Sequence, residues 1–151
     1  MRPKWHILFG FVISYILVYF FNISIIAGTV IFLSSFLIDI DHYAYYVITK
    51  KEQSLRKAYN YFIEARKKFI SFSQKEKKKY RRPLMVFHGI EFLAILIALS
   101  IFNNFFLWVL IGIAIHMILD FSEMYFMKEP FYIKFSQFYV YITNKQKEKE
   151  I

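Results

Sequence analysis

Residues 23–42 read ISIIAGTVIFLSSFLIDIDH. From Ile23 to Ile38 no side chain carries a charge, and then Asp39, Asp41 and His42 arrive together. A run of this kind lies near the short end of the roughly 17–25 residues that cross a bilayer. Taken alone it would serve equally well as a buried helix of a soluble protein. Its neighbours decide between the two. A similar run, about Trp5 to Phe21, precedes it across Asn22, and two more follow, about Leu84 to Phe102 and Phe105 to Leu119, joined at Asn103-Asn104. Four apolar runs arranged as two hairpins with uncharged tips predict an all-α integral membrane four-helix bundle, with spans near 5–21, 23–40, 84–102 and 105–121.

The composition agrees. The chain has 151 residues, 58% hydrophobic and 22% aromatic, against about 45–50% apolar in ordinary soluble domains. A single membrane domain over residues 1–151 is expected. The absence of cysteine excludes disulfides and thiolate metal sites, so a metal would have to be held by imidazole and carboxylate. The net charge of +9 would point a soluble protein towards nucleic acid, but here its distribution speaks first to topology. All 20 Lys and Arg lie before Trp5, between Lys50 and Arg82, or from Lys128 onward, and neither hairpin tip has one. The positive-inside rule then places both termini and the central segment in the cytoplasm, as a multi-pass protein of the cell (inner) membrane. Arg2 and Lys4 ahead of an apolar core have the form of a signal peptide. The run is followed directly by another, without a small-x-small site, and so reads as a retained span.

Two further segments have helical character. Between Lys50 and Arg82 there are 13 Lys/Arg against 3 Glu, while Leu55, Ala58, Tyr59, Phe62, Phe69 and Ile70 recur at near-helical spacing. This insertion, about 50–82, reads as basic amphipathic helix lying on the inner leaflet, where anionic headgroups are its partners. A nucleic-acid surface is disfavoured, because no recognisable nucleic-acid fold surrounds the interleaved aromatics. After Pro130 an aromatic stretch, about 130–143, repeats at i, i+3, i+4 and predicts an interfacial helix, with a charged, frayed end from Asn144.

Ionisable side chains are costly within hydrocarbon, and those at span ends are functional candidates by default. Each of the four histidines sits at the cytoplasmic end of a different run. His6 opens the first; Asp39, Asp41 and His42 close the second; His88 and Glu91 open the third; His116 and Asp120 close the fourth, with Glu123 continuing that face. Hairpin topology brings all of these to one end of the bundle. Imidazole and carboxylate are the usual ligands of zinc and of non-haem iron or manganese. His6, Asp39, Asp41, His42, His88, Glu91, His116 and Asp120 are therefore the expected ligand set, enough for one or two divalent ions, zinc first.

Three of these features together resemble a known family: His6 before a span, Asp39-Ile40-Asp41-His42 at the end of the next, and Gly112-x-x-x-His116-x-x-x-Asp120. They resemble the membrane-bound predicted metal-dependent hydrolases of the LexA-regulated inner-membrane type, and the pattern is similar to that of zinc-dependent phospholipase C. The resemblance implies a divalent metal held by His6, Asp39, His88, Glu91, His116 and Asp120, with Asp41 and His42 completing the site. The run Phe87-His88-Gly89-Ile90-Glu91-Phe92 departs from it, since many members carry a His-Arg-x-x-Thr-His stretch there.

The expected activity is hydrolysis of a phosphoester in a lipid or lipid-linked substrate. Asp41 or Glu91 would act as general base, and Lys50, Lys51, Arg81 and Arg82 would receive an anionic headgroup. A non-catalytic metal-binding scaffold or an ion-handling protein, with the basic arm docking a partner, uses the same residues. The nearly wholly apolar outer halves of the helices argue against an ion path.

Overall fold

The computed structural model of the protein describes residues 3–77, 79–127 and 129–147, with Gln74 described by its backbone alone. Arg2, Lys78, Lys128 and the tail from 148 onward, which entered the charge pattern, lie outside the described residues. The elements in chain order are α1 (Pro3–Phe21), α2 (Ile25–Leu37), α3 (Ile40–Lys50), α4 (Leu55–Ser71), α5 (Gln74–Lys77), α6 (Ile90–Ser100), α7 (Asn104–Phe126), α8 (Tyr132–Phe135) and α9 (Gln137–Asn144). No strand occurs among the described residues.

Three helical stretches are long and apolar enough to cross a membrane: Pro3–Phe21, Ile25–Lys50 and Asn104–Phe126. The expected fourth span is not one of them. Its helix covers only Ile90–Ser100, 11 residues, or about 16 Å at 1.5 Å per residue. The preceding residues are held out of helix by side chains from elsewhere. The Met85 N–H donates to Gln137 Oε1 at 2.9 Å and the Phe87 N–H to Asp41 Oδ2 at 3.2 Å. Gly89 then begins α6 from an extended backbone, φ −135° and ψ 157°.

Helices α1 and α2 turn at Asn22, in the left-handed region at φ 53°, which asparagine tolerates better than most residues. Ser24 caps α2 by accepting from the Ala27 N–H at 3.1 Å. Asn103 caps α7 by accepting from the Phe105 N–H at 2.8 Å. Small residues let the backbones of α1, α2 and α7 approach closely. The buried face of α1 is the stripe His6, Gly10, Ser14, and a Cβ on Gly10 would strike the Ser35 side chain. A Cβ on Gly112 would strike the Ser34 hydroxyl and the Ile31 carbonyl of α2. Apolar helices surrounded by lipid gain little from burying more apolar surface, so close contact between small residues carries much of their association. Ile38, Leu96, Ile113 and Met117 form a core cluster joining α6 and α7 to the end of α2.

The central insertion contains the expected amphipathic helix, α4, capped by Ser54, which accepts from the Lys57 N–H at 3.3 Å. Its apolar face is partly used within the protein. Ala58 and Phe69 are buried, and Phe62 meets the His42 ring edge-on at 5.1 Å between centroids. Leu55, Tyr59 and Ile70 on the same helix stay exposed. The expected C-terminal helix is broken in two at Ser136. That residue caps α9, accepting from the Tyr139 N–H at 3.1 Å, and its own hydroxyl donates to Glu91 Oε1 at 2.5 Å. Asn144 is anchored, contrary to a frayed end, by exchanging two hydrogen bonds with the Arg82 backbone at 2.9 and 2.7 Å.

Candidate metal centre

The break between α2 and α3 builds one wall of the centre. Around it the chain makes tight three-residue bonds, Asp39 N–H to Phe36 O at 3.3 Å and His42 N–H to Asp39 O at 3.1 Å. An unbroken α-helix would give the Ser35 carbonyl to the Asp39 N–H. Here that carbonyl is released and accepts from His116 Nδ1 at 2.8 Å. A carbonyl can only accept, so Nδ1 carries the proton and Nε2 of His116 presents its lone pair. Gly112 lies one turn earlier on the same stripe of α7, and it is this glycine that lets α2 come close enough for the bond.

His88 is fixed in the same way by a different partner. Its Nδ1 donates to Asp41 Oδ2 at 2.9 Å, an oxygen that also accepts from the Phe87 N–H. The two Nε2 atoms of His88 and His116 then face each other at 3.0 Å. Two neutral rings in these tautomers would set lone pair against lone pair, an arrangement relieved by a shared proton or metal ion.

Two carboxylates close on the same point. Asp39 Oδ1 is 3.5 Å from His88 Nε2 and 3.7 Å from His116 Nε2. Asp120 Oδ2 is 3.7 Å from His88 Nε2 and 3.2 Å from His116 Nε2. These separations of 3.0–3.7 Å bracket the ligand–ligand edge of roughly 3.3 Å implied by tetrahedral zinc with bonds near 2.0–2.1 Å. His6 stacks on His116, ring centroids 3.9 Å apart, and its Nε2 lies 3.5 Å from Asp120 Oδ1. His6 is fully buried, yet neither of its ring nitrogens has a hydrogen-bond partner among the described residues. Buried polar atoms without partners are uncommon and ask for a missing ligand. Overlapping groups of these side chains (His6, Asp39, His116; Asp39, His42, His88; His88, His116, Asp120) each bring ligand atoms within 4.8 Å of one another. The buried His/Asp cluster can hold a metal ion.

Other expected residues take different parts. Asp41 orients two of the imidazoles: Oδ2 serves His88 and Phe87, and Oδ1 accepts from His42 Nδ1 at 2.9 Å. Glu91, expected as ligand and as base, is turned away from the cluster. Besides Ser136, its oxygens accept from the Gln137 N–H at 3.2 Å and the Phe138 N–H at 3.1 Å, which makes it the anchor of α9. Glu91→Ala is therefore expected to loosen α9 at a cost of about 1–3 kcal/mol and to leave metal content unchanged. Hydrogen exchange over residues 137–144 reads the first effect and elemental analysis the second. A loss of metal in this variant would restore Glu91 as a ligand.

Against the cluster lies a cavity of about 490 Å³, with Asp39, His42, Asp120 and Lys134 on one side and apolar residues of α4 such as Phe62 and Phe69 on the other. Of the expected headgroup-binding residues only Arg82 lines it. Its guanidinium lies over the Phe69 ring, 3.1 Å from the centroid, and burial pulls its pKa down to about 10 against the opposing pull of Glu129. Lys50 instead sits over the Tyr61 ring at 4.9 Å, and Lys51 ends α3 in the left-handed conformation. Arg81 donates to the Lys147 carbonyl at 2.9 Å and faces a second cavity.

Lys134 and Arg66 had not been expected at the site. The Lys134 ammonium bonds Asp120 Oδ2, and Arg66 bonds Glu123. Burial disfavours the Lys134 charge, but Asp120 and Asp39 more than offset it and hold its pKa above the ordinary lysine value. A signal for Lys134 was present: it is the lone charge within Phe131-Tyr132-Ile133-Lys134-Phe135. Nothing distinguishes Arg66 from the other cations of its helix.

The fold and site thus define an all-helical protein with three helices able to cross a membrane and a buried His/Asp cluster able to hold a metal ion. No protein-family model, no curated protein and no solved structure matches the chain.

Proposed function

We propose that this protein is a membrane-bound, metal-dependent hydrolase that cleaves a phosphoester in a lipid or lipid-linked substrate, working at the cytoplasmic face of the cell membrane with both termini inside. The observation that carries the reading is the meeting of His88 Nε2, His116 Nε2 and Asp120 Oδ2 within 3.0–3.7 Å of one another, with Asp39 Oδ1 at 3.5 and 3.7 Å from the two imidazoles. It is also what the resemblance to the membrane-bound predicted metal-dependent hydrolases implies. Zinc suits the donor set best, and bound there it would lower the pKa of a water and polarise a phosphoryl oxygen.

The remaining work falls to the chain. His88 and His116 are held in fixed tautomers by Asp41 and the Ser35 carbonyl, so their lone pairs need no reorganisation. Asp41 also holds His42, which lines the cavity; this carboxylate-oriented imidazole is the group we assign as proton acceptor, in place of Asp41 or Glu91. Lys134 and Arg82 bring positive charge to the same cavity, and Phe62, Phe69 and Met85 give it an apolar side. An anionic head with a greasy tail fits that mixture.

The test uses purified full-length protein in detergent, loaded with zinc and presented with phospholipids, lipid phosphates and chromogenic phosphodiesters. Turnover by the wild type and none by His42→Ala with its metal retained is the expected result. Stoichiometric metal with no turnover on any of them would replace the hydrolase by a non-catalytic metal-binding scaffold.

A further inference from the structure

Arg82 and Lys147 are two cations brought together without an anion bonded to either among the described residues. Arg82 is 9% exposed, and its Nε and the Nζ of Lys147 are both closed off from water with no hydrogen-bond partner. Burial holds the Lys147 ammonium below the ordinary lysine pKa, and the charge of Arg82 lowers it further. Glu129 pulls on Arg82 but leaves its Nε unbonded. Buried donors without partners are uncommon, and buried charges are costly unless paired. This pair asks for a negative charge.

Arg82 also stands at a second cavity, of about 630 Å³, a size within the range of roughly 300–1,000 Å³ usual for small-molecule sites. The two cavities share Phe62, Ala65, Arg82 and Pro83 as a common wall. A guanidinium has five N–H donors, enough to serve both. One side of the second cavity is the stripe Ile40, Ala44, Ile48 of α3, four residues apart and so on one helical face. This helix belongs to the stretch Ile25–Lys50, which is long and apolar enough to cross a membrane. Ile48 and Val86 line the cavity and are 77% and 68% exposed. Its rim is therefore apolar, and on a membrane-crossing stretch acyl chains solvate such a rim. Positive charge marks the same cavity, since Arg81 lines it beside Arg82. Asp41 lines it too, but its oxygens are engaged by His42, His88 and the Phe87 N–H.

We infer that the second cavity binds one anionic phospholipid, with its phosphate on Arg82 and Arg81 and an acyl chain along Ile40, Ala44 and Ile48. The cations alone would accept a free anion, and the apolar wall alone would accept a neutral lipid. An anionic lipid answers both, and its phosphate supplies the charge that Arg82 and Lys147 lack. Basic pockets between membrane helices hold anionic headgroups in this way. The site is separate from the metal centre and does not rest on the hydrolase reading.

The experiment is photolabelling. Full-length protein in detergent is given phosphatidylglycerol carrying a diazirine at mid-chain, irradiated, and digested for mass spectrometry. Saturable label is expected on residues 40–48 and 83–87, displaced by unlabelled phosphatidylglycerol, far less by phosphatidylcholine and not by inorganic phosphate. Arg82→Gln should weaken the labelling about tenfold, the loss of one charge-assisted hydrogen bond. Ala44→Trp should weaken it comparably by filling the space beside the stripe; Ala44 is exposed, so the fold tolerates this change even where it does not tolerate Arg82→Gln. Equal displacement by both phospholipids, or displacement by inorganic phosphate, would overturn the inference. So would label that is absent or that rises without saturation over the exposed helix faces. Label on Met124 and Ile133, which line the first cavity, would make the lipid a ligand of the metal centre and overturn the separate site. The wild-type pattern decides among these even if both variants fail to fold.

Discussion

His116→Ala is expected to empty the metal centre, lowering bound metal to a small fraction of the wild-type content and abolishing any metal-dependent turnover. His116 stands at the middle of the cluster: its Nε2 is within 3.0–3.7 Å of His88, Asp39 and Asp120, and its ring is the surface on which His6 stacks. Loss of an outer partner that merely orients a ligand weakens metal binding about 10–100-fold, so loss of this ligand should cost at least the upper end of that range. Combining it with Asp120→Ala removes a second ligand and the seat of Lys134. Elemental analysis of the purified variants beside wild type gives the answer. Retention of stoichiometric metal by the double variant would remove the site from consideration.

The second large effect lies in packing. Gly112→Val should destabilise the protein by about 1–3 kcal/mol or more, the cost of overpacking a close contact, and should disturb the centre with it. Any Cβ at this position meets the Ser34 hydroxyl and the Ile31 carbonyl of α2. The carbonyl is backbone and cannot turn aside, so the helices must separate. One turn farther along α7 the His116 Nδ1–Ser35 bond of 2.8 Å would stretch, and the tautomer that exposes Nε2 would lose its support. Thermal unfolding in detergent, read alongside metal affinity, separates the two consequences. Unchanged stability and affinity in Gly112→Val would show that α2 and α7 do not cross as closely as described.

Much of this was legible along the chain because the signals were local. His116 and Asp120 stand in otherwise apolar helix, four residues apart, and Asp39 interrupts an apolar run. Such residues announce themselves by their surroundings, and the structure brings them together with His6 and His88. What was not legible depends on partners remote in sequence. Glu91 looked like a ligand three residues from His88, but the N–H groups it serves belong to residues 137 and 138. Leu84 to Phe87 looked helical by composition, yet their backbone is claimed by Gln137 and Asp41. Lys134 was visible as an isolated charge, though its pairing with Asp120 needed the turn between α7 and α8. Helix α4 was found by its periodicity, and periodicity alone could not say that part of its apolar face would cover the cavity.

The lengths of the helices also set how far the centre lies from their connected ends. Counting at 1.5 Å per residue, His6 is about 22 Å from Phe21, Asp39 about 21 Å from Ile25, and His116 about 18 Å from Asn104. A hydrocarbon core is about 30 Å thick. With the connected ends at the outer boundary, the centre sits sunk below the inner surface rather than raised above it. A lipid substrate of the proposed kind would then reach it by sideways diffusion in the leaflet, with its tail still solvated. The rate would follow the mole fraction of substrate among the surrounding lipids, so diluting the membrane with inert lipid would slow the protein while diluting the aqueous suspension would not.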